Sequence, residues 1–327
     1  MKAITTKSPG DANQLQITEV EDPKAGPGQV LVYIAATALN RADILQREGK
    51  YPPPAGVTDI LGLEMAGTVM ETGAGVTGFE VGDNVCALLS GGGYAQLIAV
   101  DADMLLKLPN NMSFTKAAAI PEAFLTAFQA LHQIAGLQKG ETVLIHAGAS
   151  GVGTAAIQLA LHAGAKVVVT ASGTKHTLLE DLGAARCIDY RTEDFAEAVL
   201  DETGGLGANV ILDFVGGGYF EQNMKAAALD GRIVSLAALG GARVENVSLA
   251  PILRKRLQIT GTTLRSRSKE YKRSLVANFR EQVWPHFADR SLRAVVDTIY
   301  DWEGVADAHK YMEANANVGK IVLTIGE

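Results

Sequence analysis

The sequence predicts an α/β protein, with a doubly wound parallel sheet in the second half of the chain and a mostly-β domain before it. Three observations carry this reading. Residues 1 to about 120 hold short apolar or alternating runs separated by Gly and Asp turns. From Glu141 onward such runs alternate with segments of helical periodicity, the pattern of six strands wound on both faces by helices. At the first of those strands, Val143-Leu144-Ile145-His146-Ala147-Gly148-Ala149-Ser150-Gly151-Val152-Gly153 starts apolar, breaks into glycines and opens a helix.

In chain order, Met1–Thr5 reads as a strand and Leu15–Val20 alternates. Gln29–Leu39 is a longer apolar run, Arg41–Glu48 a helical insert, and Tyr51-Pro52-Pro53-Pro54 the loop after it. Strands are expected at Gly67–Glu71, Asn84–Leu89, Tyr94–Val100 and Leu105–Leu108, giving a compact barrel-like domain. Between Lys116 and Ile134, Ala117, Ile120, Phe124, Phe128 and Leu131 recur at helical spacing, and Pro121 predicts a break or kink. Strand Val143–Ala147 then leads to a helix over 151–163. Strands over 166–171, 186–188, 210–214, 231–236 and 258–261 follow, interleaved with helices over 174–182, 194–203, 219–227 and 250–255. A polar helix is expected over Lys269–Asp289. The tail adds a strand near 295–300, a helix over 302–313 and a strand over 320–325, placed back on the first domain.

Composition bounds the function. The 327 residues are 47% hydrophobic and 20% charged, ample for a full core. A net charge of −7 argues against binding driven by nucleic-acid phosphates. No apolar run spans a bilayer and no signal-peptide pattern is present, so a cytoplasmic protein with no membrane partner is expected. Cys86 and Cys187 lie far apart in apolar runs and read as buried free thiols of a reducing compartment; no Cys or His cluster has metal-ligand spacing.

The glycine turn points to a dinucleotide. Gly148 permits the turn by adopting angles closed to other residues, and Gly153 lets the helix approach closely. The unpaired N–H groups of the first helical turn, at Gly151, Val152 and Gly153, favour a pyrophosphate. Ser150 replaces the middle glycine of the Rossmann motif, so its hydroxyl sits where the phosphate approaches, beside Ala149. NAD sites place Asp or Glu at the end of the second strand. Here the sequence runs Thr170-Ala171-Ser172-Gly173-Thr174-Lys175, with Tyr190-Arg191 after the third strand. Hydroxyl and cationic donors suit a 2′-phosphate, so NADPH is the expected cofactor, held by Ser172, Lys175 and Tyr190. His146, Ser150 and Asp213 do not form a hydrolase pattern, because Ser150 lacks a nucleophile elbow; His146 reads as a core histidine.

With these residues stand Asn40-Arg41-Ala42-Asp43, Gly49-Lys50-Tyr51-Pro52, Gly62-Leu63-Glu64-Met65-Ala66-Gly67, Leu182-Gly183-Ala184 and Val318-Gly319-Lys320-Ile321-Val322-Leu323. Together they resemble a zinc-free medium-chain dehydrogenase/reductase of the quinone oxidoreductase (zeta-crystallin-like) family, most nearly its p53-inducible quinone oxidoreductase branch. The resemblance covers essentially the whole chain. It implies a GroES-like catalytic domain over 1–122, an NADP-binding Rossmann domain over 123–265 and a C-terminal segment, 266–327, returning to the catalytic domain. Zinc-dependent relatives carry Cys where Asn40 stands and His where Leu63 stands, and a four-cysteine lobe that is missing here; no metal site is expected.

The resemblance also implies site roles. Tyr51 and Asn40 line the nicotinamide end as catalytic candidates, with Gln46 a weaker one; Asn40 could instead cap the helix at Arg41, and Tyr51 could pack only on Pro52–Pro54. Asp43 reads as structural, paired with Arg41 or Arg47. Thr126 approaches the nicotinamide ribose or phosphates, Phe214 and Val215 with Gly216 the adenine or ribose, Leu239, Gly240, Thr263 and Leu264 the nicotinamide edge, and Asn317 closes over the cofactor. The implied activity is zinc-independent NADPH:quinone oxidoreduction. The alternatives are an NADPH-dependent reductase of enals or enones and, in another class, a cofactor-binding structural protein. A homodimer or homotetramer is expected, joined through strand Gln258–Gly261 and the run Ile233–Leu239.

Overall fold

The computed structural model describes residues 1–326. In chain order the elements are β1 (Lys2–Thr6), β2 (Leu15–Glu19), β3 (Gln29–Ala38), α1 (Arg41–Arg47), β4 (Glu64–Thr72), β5 (Asn84–Leu88), β6 (Leu97–Asp101), β7 (Leu105–Lys107), α2 (Phe114–Ala117) and α3 (Pro121–Phe128). Then follow β8 (Thr142–Ile145), α4 (Gly151–His162), β9 (Lys166–Ala171), α5 (His176–Asp181), β10 (Arg186–Asp189), α6 (Phe195–Glu202), β11 (Ala208–Asp213), α7 (Phe220–Ala226), β12 (Ala227–Ser235), α8 (Ala250–Lys255) and β13 (Gln258–Gly261). The chain ends with α9 (Lys269–Gln282), α10 (Pro285–Ala288), β14 (Val296–Asp301), α11 (Val305–Glu313) and β15 (Lys320–Thr324). These form two compact units, residues 1–125 with 265–327, and residues 126–264.

In the first unit β14, β15, β3, β4, β5 and β7 pair in that order, with β6 on β3. Antiparallel register sets Ile34 opposite Gly67 and Val322 opposite Ala38. Gly67 is required there: a Cβ on it would lie 2.0 Å from the Tyr33 carbonyl oxygen. Alternation along β3 buries Val30, Val32, Ile34 and Ala36, the first three packing with Met65, Val69, Val85, Leu105, Trp302 and Ile321.

In the second unit the order β10-β9-β8-β11-β12-β13 is parallel throughout. Strands buried on both faces read as continuous apolar runs, as Val143–Ile145 and Val167–Val169 do, each fully buried. The order reverses between β8 and β11. In such sheets the crevice beyond the strand C-termini at that switch point is where ligands bind.

Several elements depart from expectation. The helix expected over Lys269–Asp289 is two, because Pro285 has no N–H to continue the ladder and starts α10 instead. Pro121 marks the expected break between two helices, α2 and α3, but the chain then continues from Gln129 to Ile134 as a π-helix. Strand β6 begins only at Leu97; Ala95 makes an isolated bridge to Ala3. Asp43 pairs with neither Arg41 nor Arg47. Its carboxylate takes the N–H groups of Asn40 (2.8 Å) and Gly62 (3.1 Å), while Arg41 reaches the Met312 carbonyl and Asn315. Arg47, buried, bonds Gly10, His309 and Glu313.

At the centre of the first unit is a buried ion pair: Lys320 Nζ lies 2.6 Å from Glu64 Oε1, the two residues 4% and 0% exposed. Replacing Lys320 by Met should strand the Glu64 carboxylate and lower stability by about 3–5 kcal/mol. The added change Glu64→Gln should recover much of that loss. Urea denaturation of the three variants checks both statements.

Candidate cofactor and substrate sites

In the second unit, β8 ends at Ile145 and the chain turns through Ala147 and Gly148 into α4. Ala147, and not Gly148, takes the left-handed conformation, with φ of +48°. Gly148 is needed for space: its N–H bonds the Thr170 carbonyl at 3.0 Å, and a Cβ on it would meet Val169 Cβ at 2.8 Å. Gly153 is needed for the same reason, since a Cβ there would sit 2.5 Å from the Ala147 carbonyl oxygen. Ser150 caps α4, its Oγ accepting the Gly153 N–H at 3.0 Å. The N–H groups of Gly151 and Val152 stay at the open end of the helix, and Ala149 is buried in the turn. In the same unit the Thr126 hydroxyl is buried and has no hydrogen-bond partner among the described residues. An open helix end, a glycine cradle and an orphaned hydroxyl fit a dinucleotide.

Further along the sheet edge, Ser172 is buried and leads a turn of 3₁₀ helix through Lys175. Tyr190 is 45% exposed, with the Arg191 guanidinium 5.8 Å from its ring centroid. A carboxylate that the sequence reading passed over lies here. Asp189, the last residue of β10, accepts from the N–H of Gly173 (2.9 Å) and of Arg191 (3.0 Å). The second of these bonds is the chief cause of its lowered pKa. Its oxygens are directed onto backbone, so it shapes the loop carrying Ser172 and Lys175.

At the end of β11, Asp213 accepts the N–H groups of Val215 (2.8 Å) and Gly216 (3.0 Å). Leu239 and Gly240 donate to the carbonyls of Phe214 and Val215. The structure thus zips Phe214, Val215, Leu239 and Gly240 into one pair of loops. Thr263 is exposed and Leu264 buried just beyond β13. His146 is a core residue, fully buried, bonded to Thr170 and Asn223 through its two ring nitrogens; burial lowers its pKa to about 4.

In the first unit Asn40 takes the N-cap position of α1, yet its side chain makes no cap bond. Its amide donates to Glu64 Oε1 (2.9 Å) and the Ala38 carbonyl, and accepts from Lys320 Nζ (2.6 Å). Glu64 Oε2 takes the backbone N–H of Glu122 at 2.8 Å. Leu63 is 2% exposed and apolar. Tyr51, half-buried, lies under the Arg265 guanidinium, 5.4 Å from Cζ to ring centroid. Burial raises the Tyr51 pKa. Arg265 donates from Nε to the Ser90 carbonyl and from Nη2 to Gln46. Its Nη1, though buried, has no partner among the described residues. Lys272 Nζ holds Ser90 Oγ (2.9 Å) and the Arg265 carbonyl (2.6 Å). Asn317, also in this unit, donates to the Gly319 carbonyl at 2.8 Å. Among the described residues no His, Cys, Asp and Glu side chains group to hold a metal ion, and no helix is long and apolar enough to cross a membrane.

The sequence reading missed Glu122, Arg265, Lys272 and Lys320. The signal for Glu122 was a lone acid in the apolar segment Ile120–Phe128. Lys320 stood in the Val318–Leu323 stretch without a role of its own, and Arg265 and Lys272 had no local signal, because only the fold gathers them.

Two family models match the chain: an alcohol dehydrogenase GroES-like domain over residues 26–110 and a zinc-binding dehydrogenase over 151–281. The chain is 35% identical over 98% of its length to the pikromycin polyketide synthase component PikAII of Streptomyces venezuelae, but spans only 8% of that protein. Among solved structures, an NAD-dependent alcohol dehydrogenase matches at 30% identity and a TM-score of 0.88, with 100% of both chains covered. The CurK enoyl reductase matches at 28% and 0.89, with 99% of both chains covered. Two mycobacterial structures, one complexed with NADPH and one a quinone oxidoreductase, match at 28% identity with TM-scores of 0.88 and 0.85; each covers 99% of this chain, and this chain covers 100% and 99% of theirs. With a GroES-like N-terminal domain, a Rossmann-like parallel sheet and full-length matches of this kind, the chain belongs to the medium-chain dehydrogenase/reductase family of pyridine-nucleotide oxidoreductases.

Proposed function

We propose that the protein is a zinc-independent NADPH:quinone oxidoreductase. The observation that carries the reading is the Tyr51–Arg265 pair. An aromatic face lies beneath a guanidinium whose Nη1 has no acceptor among the described residues, with Lys272 close behind. That arrangement suits a flat carbonyl compound whose oxygen gains negative charge as it is reduced. A mycobacterial quinone oxidoreductase among the structural neighbours supports it.

The reduced nicotinamide, when bound, supplies hydride. Residues at the α4 turn, Gly148 to Gly153, would hold its pyrophosphate, with Thr126 toward the ribose and Ser172, Lys175 and Tyr190 around the 2′-phosphate. Phe214, Val215, Leu239, Gly240, Thr263 and Leu264, of the same unit, would complete its surroundings. Tyr51 would orient the acceptor through its neutral hydroxyl. Asn40, whose amide is fully engaged by Glu64 and Lys320, would act by keeping that pair in register. A zinc ion does not fit: the amide of Asn40 is committed, Leu63 offers no donor, and Cys86 and Cys187 are separate buried thiols.

A second reading has its own support. Enoyl reductases stand among the structural neighbours, and reduction of an activated carbon–carbon double bond would use the same hydride and the same oxygen site. Steady-state NADPH oxidation with ortho-quinones, para-quinones and enones separates the two.

Cofactor choice is tested at Lys175. A charge-assisted contact to phosphate is worth roughly 1.5–3 kcal/mol. Lys175→Ala should therefore raise the KM for NADPH by about 10- to 100-fold with kcat less affected, and Ser172→Asp should shift preference toward NADH. Equal use of both cofactors by the wild type would rule the assignment out.

Treatment with EDTA should leave turnover intact; loss of activity that zinc restores would contradict the metal-free reading.

Assembly is the last expectation. β13 is a sheet-edge strand exposed along its whole length, with Ile259 38% exposed. An edge of this kind is a template for pairing with a second copy. Light scattering should give a mass at least twice the 34.4 kDa chain.

A further inference from the structure

Hydride alone does not complete the reduction of a quinone. It brings two electrons and one hydrogen, and the second oxygen, left as an oxyanion, must take a proton. The first unit holds three buried or half-buried carboxyl groups close together. Two of them are committed. Both oxygens of Glu64 are occupied, by Lys320 and the Asn40 amide on one and by the Glu122 N–H on the other. Asp43 is held by the N–H groups of Asn40 and Gly62 and by the Tyr94 hydroxyl. Glu122 differs. Its backbone is pinned by Glu64, but its own carboxyl makes no hydrogen bond and no ion pair among the described residues.

We propose that Glu122 is the proton donor of this reaction, its carboxyl held at the first turn of α3 in the same cluster as Tyr51 and Arg265. The assignment rests on the reading of the preceding subsection. The charged and titratable groups that act on Glu122 electrostatically are Glu64 from β4, Asp43 from α1, Lys320 from β15, Lys272 from α9, and Tyr51 and Arg265 from the loops. Burial and, next, the Glu64 carboxylate push its pKa up to about 8, against the opposing pull of Lys320 and Lys272. At neutral pH the group is therefore mostly a neutral acid, able to donate.

The step balances. The acceptor gains hydride from the reduced nicotinamide, which leaves as the oxidised form. The oxyanion takes the Glu122 proton as its O–H bond forms and the carboxyl O–H bond breaks. Glu122 is left as a carboxylate and recovers its proton from water. Arg265, with Nη1 lacking an acceptor, stabilises the oxyanion before the proton arrives. With an enone the hydride adds at the β-carbon, and the same proton is taken at the α-carbon as the enolate returns to the carbonyl.

The test compares wild type, Glu122→Gln and Glu122→Asp. In the wild type kcat should fall as pH rises through about 8, where the acid is lost. Glu122→Gln should lower kcat by roughly 100-fold or more, erase that alkaline limb and leave the Kd for NADPH and the KM for quinone nearly unchanged. Glu122→Asp should restore part of kcat. Independently of turnover, infrared difference spectra should show a carboxylic acid band that titrates near pH 8 in the wild type and is missing in Glu122→Gln. Normal turnover by Glu122→Gln, an unchanged alkaline limb, or no such band would overturn the donor role alone. A wild type that reduces neither quinones nor enones would overturn the functional reading together with it.

Discussion

A lysine ammonium and a glutamate carboxylate, both withdrawn from water, govern the arrangement of the first unit. Desolvating two such charges is costly, and their attraction offsets the cost only if every remaining lone pair and proton is also satisfied. Here that condition is met by backbone and by one amide: Lys320 reaches Glu64, Asn40 and the Leu39 carbonyl, while Glu64 takes the Asn40 amide and the Glu122 N–H. The requirement for full satisfaction couples β4, β15, the cap of α1 and the start of α3. The position of Asn40 follows from it, and so does the backbone position of Glu122.

On the proposed reading, the same constraint suits a reduction that needs no metal. Where a Lewis acid would polarise a carbonyl, the proposed site sets Arg265 against Tyr51, Lys272 behind it, and the Glu122 carboxyl within their electrostatic reach. Lys272 and Arg265 both have their pKa lowered by burial, yet each is tethered through hydrogen bonds. Their charge is therefore fixed in place before a substrate arrives, which favours a preorganised oxyanion site.

Most of the fold was legible because its signals are local. The parallel strands announce themselves as unbroken apolar runs, and the glycine turn marks the first crossover. What was not legible depends on contacts made elsewhere. Nothing in the sequence says that Ala147 rather than Gly148 carries the positive φ; that follows from the closeness of Val169 and from the turn's approach to Gly153. The π-helix at Gln129–Ile134 has the same periodicity as an α-helix at the resolution of a hydrophobic pattern. The site divides in the same way. The glycine turn with Ser150 and the Ser172–Lys175 loop follow a strand and could be read in place, though not that the Ser150 hydroxyl caps α4. Arg265, Lys272 and Lys320 come from segments far from Tyr51, Asn40 and Glu64 in the chain, and no spacing rule joins them. Asp189 was readable, beside Tyr190, but its effect on the loop depends on the Gly173 N–H that meets it.

The division of the chain has a consequence for biosynthesis. The second unit is continuous, from Thr126 to Leu264, whereas the first is assembled from both ends of the chain. On a ribosome, Glu64 and Asn40 emerge long before Lys320, and β3 waits for β15 to pair with it. Until β15 emerges, a carboxylate meant for the interior has no counter-ion and β3 lacks one of its partners. The nascent first unit must stay partly solvated during that interval, while the second can close its parallel sheet behind it. Until β15 has emerged, the earlier strands of the first unit therefore lack both their counter-ion and part of their sheet pairing.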